Sequence, residues 1–252
     1  MSATSPERYA VVSCHVERPL DDAVWPRFAA LQAERPGGFA IAALLRPADE
    51  AAGEDSALWL ERARDAASPG PLGHHTHWTA PDHARPSGAD AATGERVLAE
   101  GHRLRELGLA PSLFCGGGWY TDAGVAEACA ELGYADCTPR AARPRYLGAG
   151  ERWAELAGPA RVRLPSGREL LAIPTTHSLG DLARCVLRPG GLPAVVHTYF
   201  HDTDLLSGRR RTLLSATFRL LARRATVTDL GALRQALGAG LPVRDWADVA
   251  RS

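Results

Sequence analysis

Between Gly73 and Trp78 the chain reads GHHTHW, three of its nine histidines in six positions. In extended backbone, side chains two residues apart share a side. His75 and His77 therefore face one way and His74 the other. An earlier stretch, SCHVERP, repeats the device with His15 and Glu17. Two such pairs, each at the C-terminal end of a strand, can converge at the mouth of a barrel. Imidazole and carboxylate are suitable ligands for zinc or a similar divalent ion, so the pattern points to metal binding and hydrolytic chemistry. The bland alternative is a set of solvated histidines at strand ends. Clustering counts against it, because buried imidazoles without partners are costly.

Two further stretches could contribute. VVHTYFHDTDLL, residues 195–206, places His197 on an apolar strand and adds His201, Asp202 and Asp204 after it. His197 is placed for general-acid work, with an aspartate to orient it, or else it is a strand-end histidine capped by Asp202. LFCGGGWYTD, residues 113–122, runs a strand into Gly116–Gly118. Those glycines either bring backbone N–H groups close to a ligand or oxyanion or simply make a tight turn. No G-K-[ST] ending supports a phosphate loop. His177, in PTTHS, reads as structural or as part of a rim.

The elements that must position these residues alternate. Strands are expected at Tyr9–Ser13, Phe39–Leu45, Pro71–His77, Pro111–Cys115, Tyr134–Cys137 and Ala194–Tyr199. Helices are expected at Leu20–Glu34, Asp55–Ala67, Glu95–Leu107, Asp122–Leu132 with Thr121 as its N-cap, and Arg209–Arg223. Arg161–Leu164 and Glu169–Ile173 read as a hairpin around Pro165–Arg168. Repeated strand–helix units imply parallel strands with right-handed crossovers, in one domain over 1–252. The polar stretch 84–94 comes after the histidine cluster as a loop, where such folds carry their chemistry.

Composition narrows the partners. Lysine plus arginine equals aspartate plus glutamate, 29 against 29. That balance gives no electrostatic case for nucleic acid or an anionic membrane. Five scattered cysteines make neither a disulfide framework nor a C-x-x-C zinc ribbon. There is no secretory signal and no membrane span, so a cytoplasmic protein is expected, acting on a small molecule or glycan.

The order of these segments, over roughly Tyr9 to Leu233, resembles the polysaccharide deacetylases, the NodB-like carbohydrate esterases. SCHVE sits where that family carries an acidic pair after its first strand. LGHHTHW matches its glycine and spaced histidines, and FCGGGWYTD with the later ELGY run corresponds to its third motif. VVHTYF corresponds to its last, a strand ending in histidine. The resemblance implies an α/β fold, a distorted (β/α) barrel of this type. It also implies a divalent metal, zinc as first choice, and hydrolysis of an N- or O-acyl group from a sugar or sugar-containing intermediate. Carried onto this chain, Glu17, His75 and His77 would hold the metal, His15 would act as base and His197 as acid. Trp78, Trp119, Tyr120, Gly117 and His201 would contact substrate. Three departures stand out: His15 replaces the family's first aspartate, Thr79 stands where its second histidine belongs, and the arginine of the third motif is missing. They keep open a catalytically degenerate relative with a binding or regulatory role. A histidine-cluster phosphoesterase would want more carboxylates and a basic pocket.

Overall fold

The computed structural model describes residues 8–78, 84–87, 92–188, 190–237 and 240–252. Thr79 and residues 88–91 of the polar loop lie outside the described residues. Strand and helix alternate as the patterning requires: β1 (Tyr9–Val16), α1 (Trp25–Glu34), β2 (Ala42–Leu45), α2 (Ser56–Ala67), β3 (Leu72–Thr76), α3 (Thr93–Glu106), β4 (Leu113–Gly116), α4 (Ala123–Glu131) and β5 (Ala135–Asp136). Helix α4 is capped by Asp122 and not by the expected Thr121, the Asp122 carboxylate accepting from Val125 N–H. A short β6 (Trp153–Ala154) precedes the antiparallel hairpin β7 (Ala160–Arg163) and β8 (Glu169–Ala172). After β9 (His177–Ser178) and α5 (Leu179–Cys185) comes the long β10 (Val195–His201), then α6 (Gly208–Ala222), β11 (Thr226–Val227) and α7 (Leu230–Ala236). Three short elements end the described chain: β12 (Val243–Asp245), α8 (Trp246–Val249) and β13 (Ala250–Arg251).

Five strands run parallel in the order β5-β4-β3-β2-β1, and β10 pairs with the far side of β1. The continuous segment from β8 to β9 closes this sheet. Its first part pairs with β5 at Asp136 and its last part with β10 at Thr198. Between them, Thr175 bridges to Arg140. The result is a distorted (β/α) barrel, with one wall shared by two short strands.

Alternation then sorts the side chains. Val11, Ala42, Leu44, Leu113, Ala135 and Val195 fill the barrel interior, and Leu230 and Leu233 of α7 join that cluster. The opposite faces pack under the helices in two larger apolar clusters. Register sets the heights. His15 lies opposite His201 across β1 and β10. Val16 lies opposite Leu45, and Leu45 opposite His74, so Glu17, one residue past Val16, comes level with His75. Gly73, below His75, is fixed by space: a Cβ there would sit 2.3 Å from Leu44 Cδ2 and 3.0 Å from Leu113 Cβ. Polar side chains thus stand above a packed, mostly apolar floor.

Candidate metal centre

Four of the residues singled out by spacing meet where the strands end. Glu17 Oε1 lies 3.8 Å from His75 Nε2, 3.7 Å from His77 Nε2 and 3.6 Å from His201 Nε2. The two imidazole nitrogens of β3 and its extension approach to 3.3 Å. His75 is oriented by its other nitrogen: Nδ1–H donates to the Cys115 carbonyl at 2.8 Å, which leaves Nε2 as a lone pair aimed at the cluster. Glu17 is held from behind. The backbone N–H of Arg18 donates to the fully buried Asp202 carboxylate at 2.8 Å, fixing the turn just after it.

The donor set fits a small divalent ion. Ligand bonds of about 2.0–2.1 Å in tetrahedral array put neighbouring nitrogens about 3.3 Å apart. The His75–His77 pair already has that separation, and the Glu17 oxygen stands about 0.4 Å outside it. Without an ion, one proton between the two imidazoles makes the same contact a hydrogen bond; an ion takes that proton's place. The electrostatics agree. Burial pushes the Glu17 carboxyl up, but the His75, His77 and His201 imidazoles around it outweigh that and hold the group far below the usual carboxylate range. Burial pulls the His75 imidazole down, towards the neutral form a ligand needs.

His15 completes the cluster from β1. Its ring lies 4.7 Å from the His75 ring, 5.1 Å from Trp119 and 5.1 Å from Tyr199, on which it stacks. Burial, with His75 and His201 nearby, depresses its pKa well below the ordinary histidine value, so it is neutral near pH 7. The cluster opens into a cavity of about 600 Å³, lined by His15, Glu17, Trp119, Tyr146, Tyr199 and His201 among others. A second cavity of about 360 Å³ lies on the other side of β3. His77 borders it too, but its arginines Arg46, Arg96 and Arg103 are paired with Glu54, Glu100 and Glu50 respectively, and Glu17, His15 and His201 all face the first cavity.

The structure moves four expected site residues away from this cavity. His197 faces inward, but two residues deeper along β10 than Tyr199 and four deeper than His201. It is wholly buried, with Nε2 2.9 Å from Ser13 Oγ and Nδ1 3.3 Å from the Ile173 carbonyl. The histidine at the mouth is His201. Trp78 faces outward, 3% exposed, in the cluster with Val97, Phe114 and Val125. Tyr120 packs against it with ring centroids 5.3 Å apart and donates its hydroxyl to Asp122. Gly117 is a packing position: a Cβ would meet the Ala84 and Thr76 carbonyl oxygens at 2.5 and 2.7 Å. The Gly116 N–H is taken by Thr138 Oγ1, so it stabilises no oxyanion. Trp119 alone of that stretch's aromatic pair reaches the cavity, and it does so at φ +60°, a strained value for a bulky residue.

Spacing arguments missed Tyr146, Tyr199, Arg140 and the supporting face of β3. Arg140 stacks on Trp119 at 4.3 Å and on Tyr199 at 5.1 Å. On the outer face, His74 Nε2 and Thr76 Oγ1 both lie 2.8 Å from Glu100 Oε2, tying α3 to the strand that carries the ligands.

No protein-family model and no curated protein matches the chain. Solved structures do. The fold aligns with a putative polysaccharide deacetylase from Mycobacterium smegmatis over 97% of this chain and 95% of that one, with a TM-score of 0.66 and 17% identity. It aligns less well with a 4-alpha-glucanotransferase from Thermococcus litoralis, TM-score 0.54 and 14% identity, over 94% of this chain and 39% of the other. At these identities the likeness is one of fold.

Proposed function

We propose that this protein is a metal-dependent hydrolase that removes an N- or O-acyl group from a sugar or sugar-containing substrate, with zinc as its ion. The observation that carries the reading is the convergence of Glu17, His75 and His77 at the C-terminal mouth of a barrel with the deacetylase fold. Glu17, His75 and His77 would hold the ion. A divalent ion in that place supplies Lewis acidity towards a carbonyl and towards water.

The chain's own groups supply the rest. His15 is neutral, faces the cavity and replaces the aspartate of the resembled family, so it is the proton acceptor. His201, across the cluster at the exposed rim, takes the acid role first expected of His197 and delivers a proton to the leaving amine or alcohol. Trp119, Tyr199 and Tyr146 give the cavity apolar walls suited to a sugar face, and Trp119 is held in place by Arg140. A cytoplasmic setting is supported by five free cysteines, four of them buried.

The test is acetate release from acetylated amino sugars by protein stripped with chelator and reloaded with zinc. Activity that returns with the ion supports the reading. Turnover indifferent to chelation, or no release from any acylated sugar by zinc-loaded protein, overturns it.

A further inference from the structure

One cation packed against the aromatic wall of the cavity has no ion-pair partner among the described residues. Arg140 lies after β5 and between Trp119 and Tyr199, both of which line the cavity. It is 8% exposed, and its Nε and Nη1 have no hydrogen-bond partner among the described residues. The arginine of the cavity wall is different. Arg85 pairs with Glu151 at 3.1 Å and donates to the Gly118 and Arg152 carbonyls. Glu17, the cavity's carboxylate, is already shared by three imidazoles.

Removing a guanidinium from water with two of its three nitrogens unpartnered is costly, and the Tyr199 hydroxyl and the stacking on aromatic rings return only part of that cost. A stack alone does not explain the choice of residue, since an uncharged chain of similar length would fill the gap between the rings without that cost. Arginine presents a planar fork that matches carboxylate and phosphate groups.

We infer that the substrate carries an anionic group, a carboxylate or a phosphate, and that Arg140 receives it beside the Trp119 and Tyr199 rings. The inference rests on the hydrolase reading for the position of the acyl group and on nothing else from it. Arg140 is then the residue that selects acidic sugars over neutral ones.

Zinc-loaded protein is titrated by calorimetry with three probes: N-acetylglucosamine, its hexuronic acid and its 1-phosphate. The same probes serve as substrates for kcat and KM. The parent is expected to bind at least one charged probe about 30-fold or more tightly than the neutral sugar, the fold-change expected of a charge-assisted contact in a dry site. The better of the two charged probes identifies the group. Arg140→Met is expected to abolish that preference, weakening the charged probe at least about tenfold more than the neutral sugar, and Arg140→Lys to keep part of it. Equal affinity for charged and neutral probes in the parent overturns the inference. Equal weakening of all probes in Arg140→Met, or loss of folding in both variants, assigns Arg140 to support of Trp119 and also overturns it. Charged-probe preference without hydrolysis of any probe would leave Arg140's role standing and remove the hydrolase reading.

Discussion

Replacing His75 with alanine should separate the metal centre from its scaffold. His75 offers Nε2 to the cluster because its Nδ1–H is committed to the Cys115 carbonyl. Its loss leaves Glu17 with His77 at 3.7 Å and His201 at 3.6 Å. Four-ligand zinc sites bind with roughly 10–16 kcal/mol, or about 3 kcal/mol for each donor. At about 1.4 kcal/mol per tenfold, His75→Ala should weaken zinc by on the order of 100-fold. His74→Ala is the internal control. His74 lies on the opposite face, bound to Glu100, so its removal should cost about 1–3 kcal/mol of stability and leave zinc affinity within a few-fold of the parent. Zinc content after equilibration with a buffered ion, read by mass spectrometry, decides between them, with thermal denaturation reporting stability. Equal zinc in His75→Ala, His74→Ala and the parent would refute the assignment.

The same geometry sets further outcomes. His201→Ala should keep zinc within tenfold and lower kcat by about 10²–10⁴, the usual contribution of a general acid, read from the rate of acetate release. His197→Gln should lower the melting temperature, through the Ser13 contact, and leave kcat/KM within a few-fold; a collapse of kcat with zinc retained would restore His197 to the chemistry. Burial raises the Asp136 carboxyl from 3.8 to about 6, so the folded state holds that proton more tightly than the unfolded chain. Its contribution to stability is therefore present below about pH 4 and is lost as pH rises through 6. Denaturant titrations of the parent and Asp136→Asn at pH 4 and pH 6 should show the parent losing about 2 kcal/mol relative to the variant. Parallel pH dependence in the two proteins would contradict this.

Strict alternation made part of the site legible in the sequence. His75 and His77 on one side, His74 on the other, and the His15–Glu17 pair all depend only on the period of a strand, and the structure places each accordingly. The helices after β1, β2, β3 and β4 were legible for a similar reason, since their apolar stripes and terminal glycines are local signals. Depth along a strand is not local. His197 and His201 lie four apart on the same inward face, and alternation cannot say which is at the mouth. That depends on the pairing that sets His15 opposite His201. Trp78 and Tyr120 are misplaced because each follows an inward-facing residue just past its strand, His77 after β3 and Trp119 after β4, and so turns to the opposite side. Arg140 gave no signal, being one arginine in a stretch rich in them. Only the closing of the barrel by the β8–β9 segment encloses it.

The most direct measurement is an anomalous-difference map from a crystal of the protein soaked in zinc. The account predicts one dominant peak about 2.0–2.2 Å from Glu17 Oε1, His75 Nε2 and His77 Nε2, with His197 still bonded to Ser13 beneath it. A map with no peak there, or with the peak on other residues while Glu17, His75 and His77 stay bonded only to one another, would contradict the central claim.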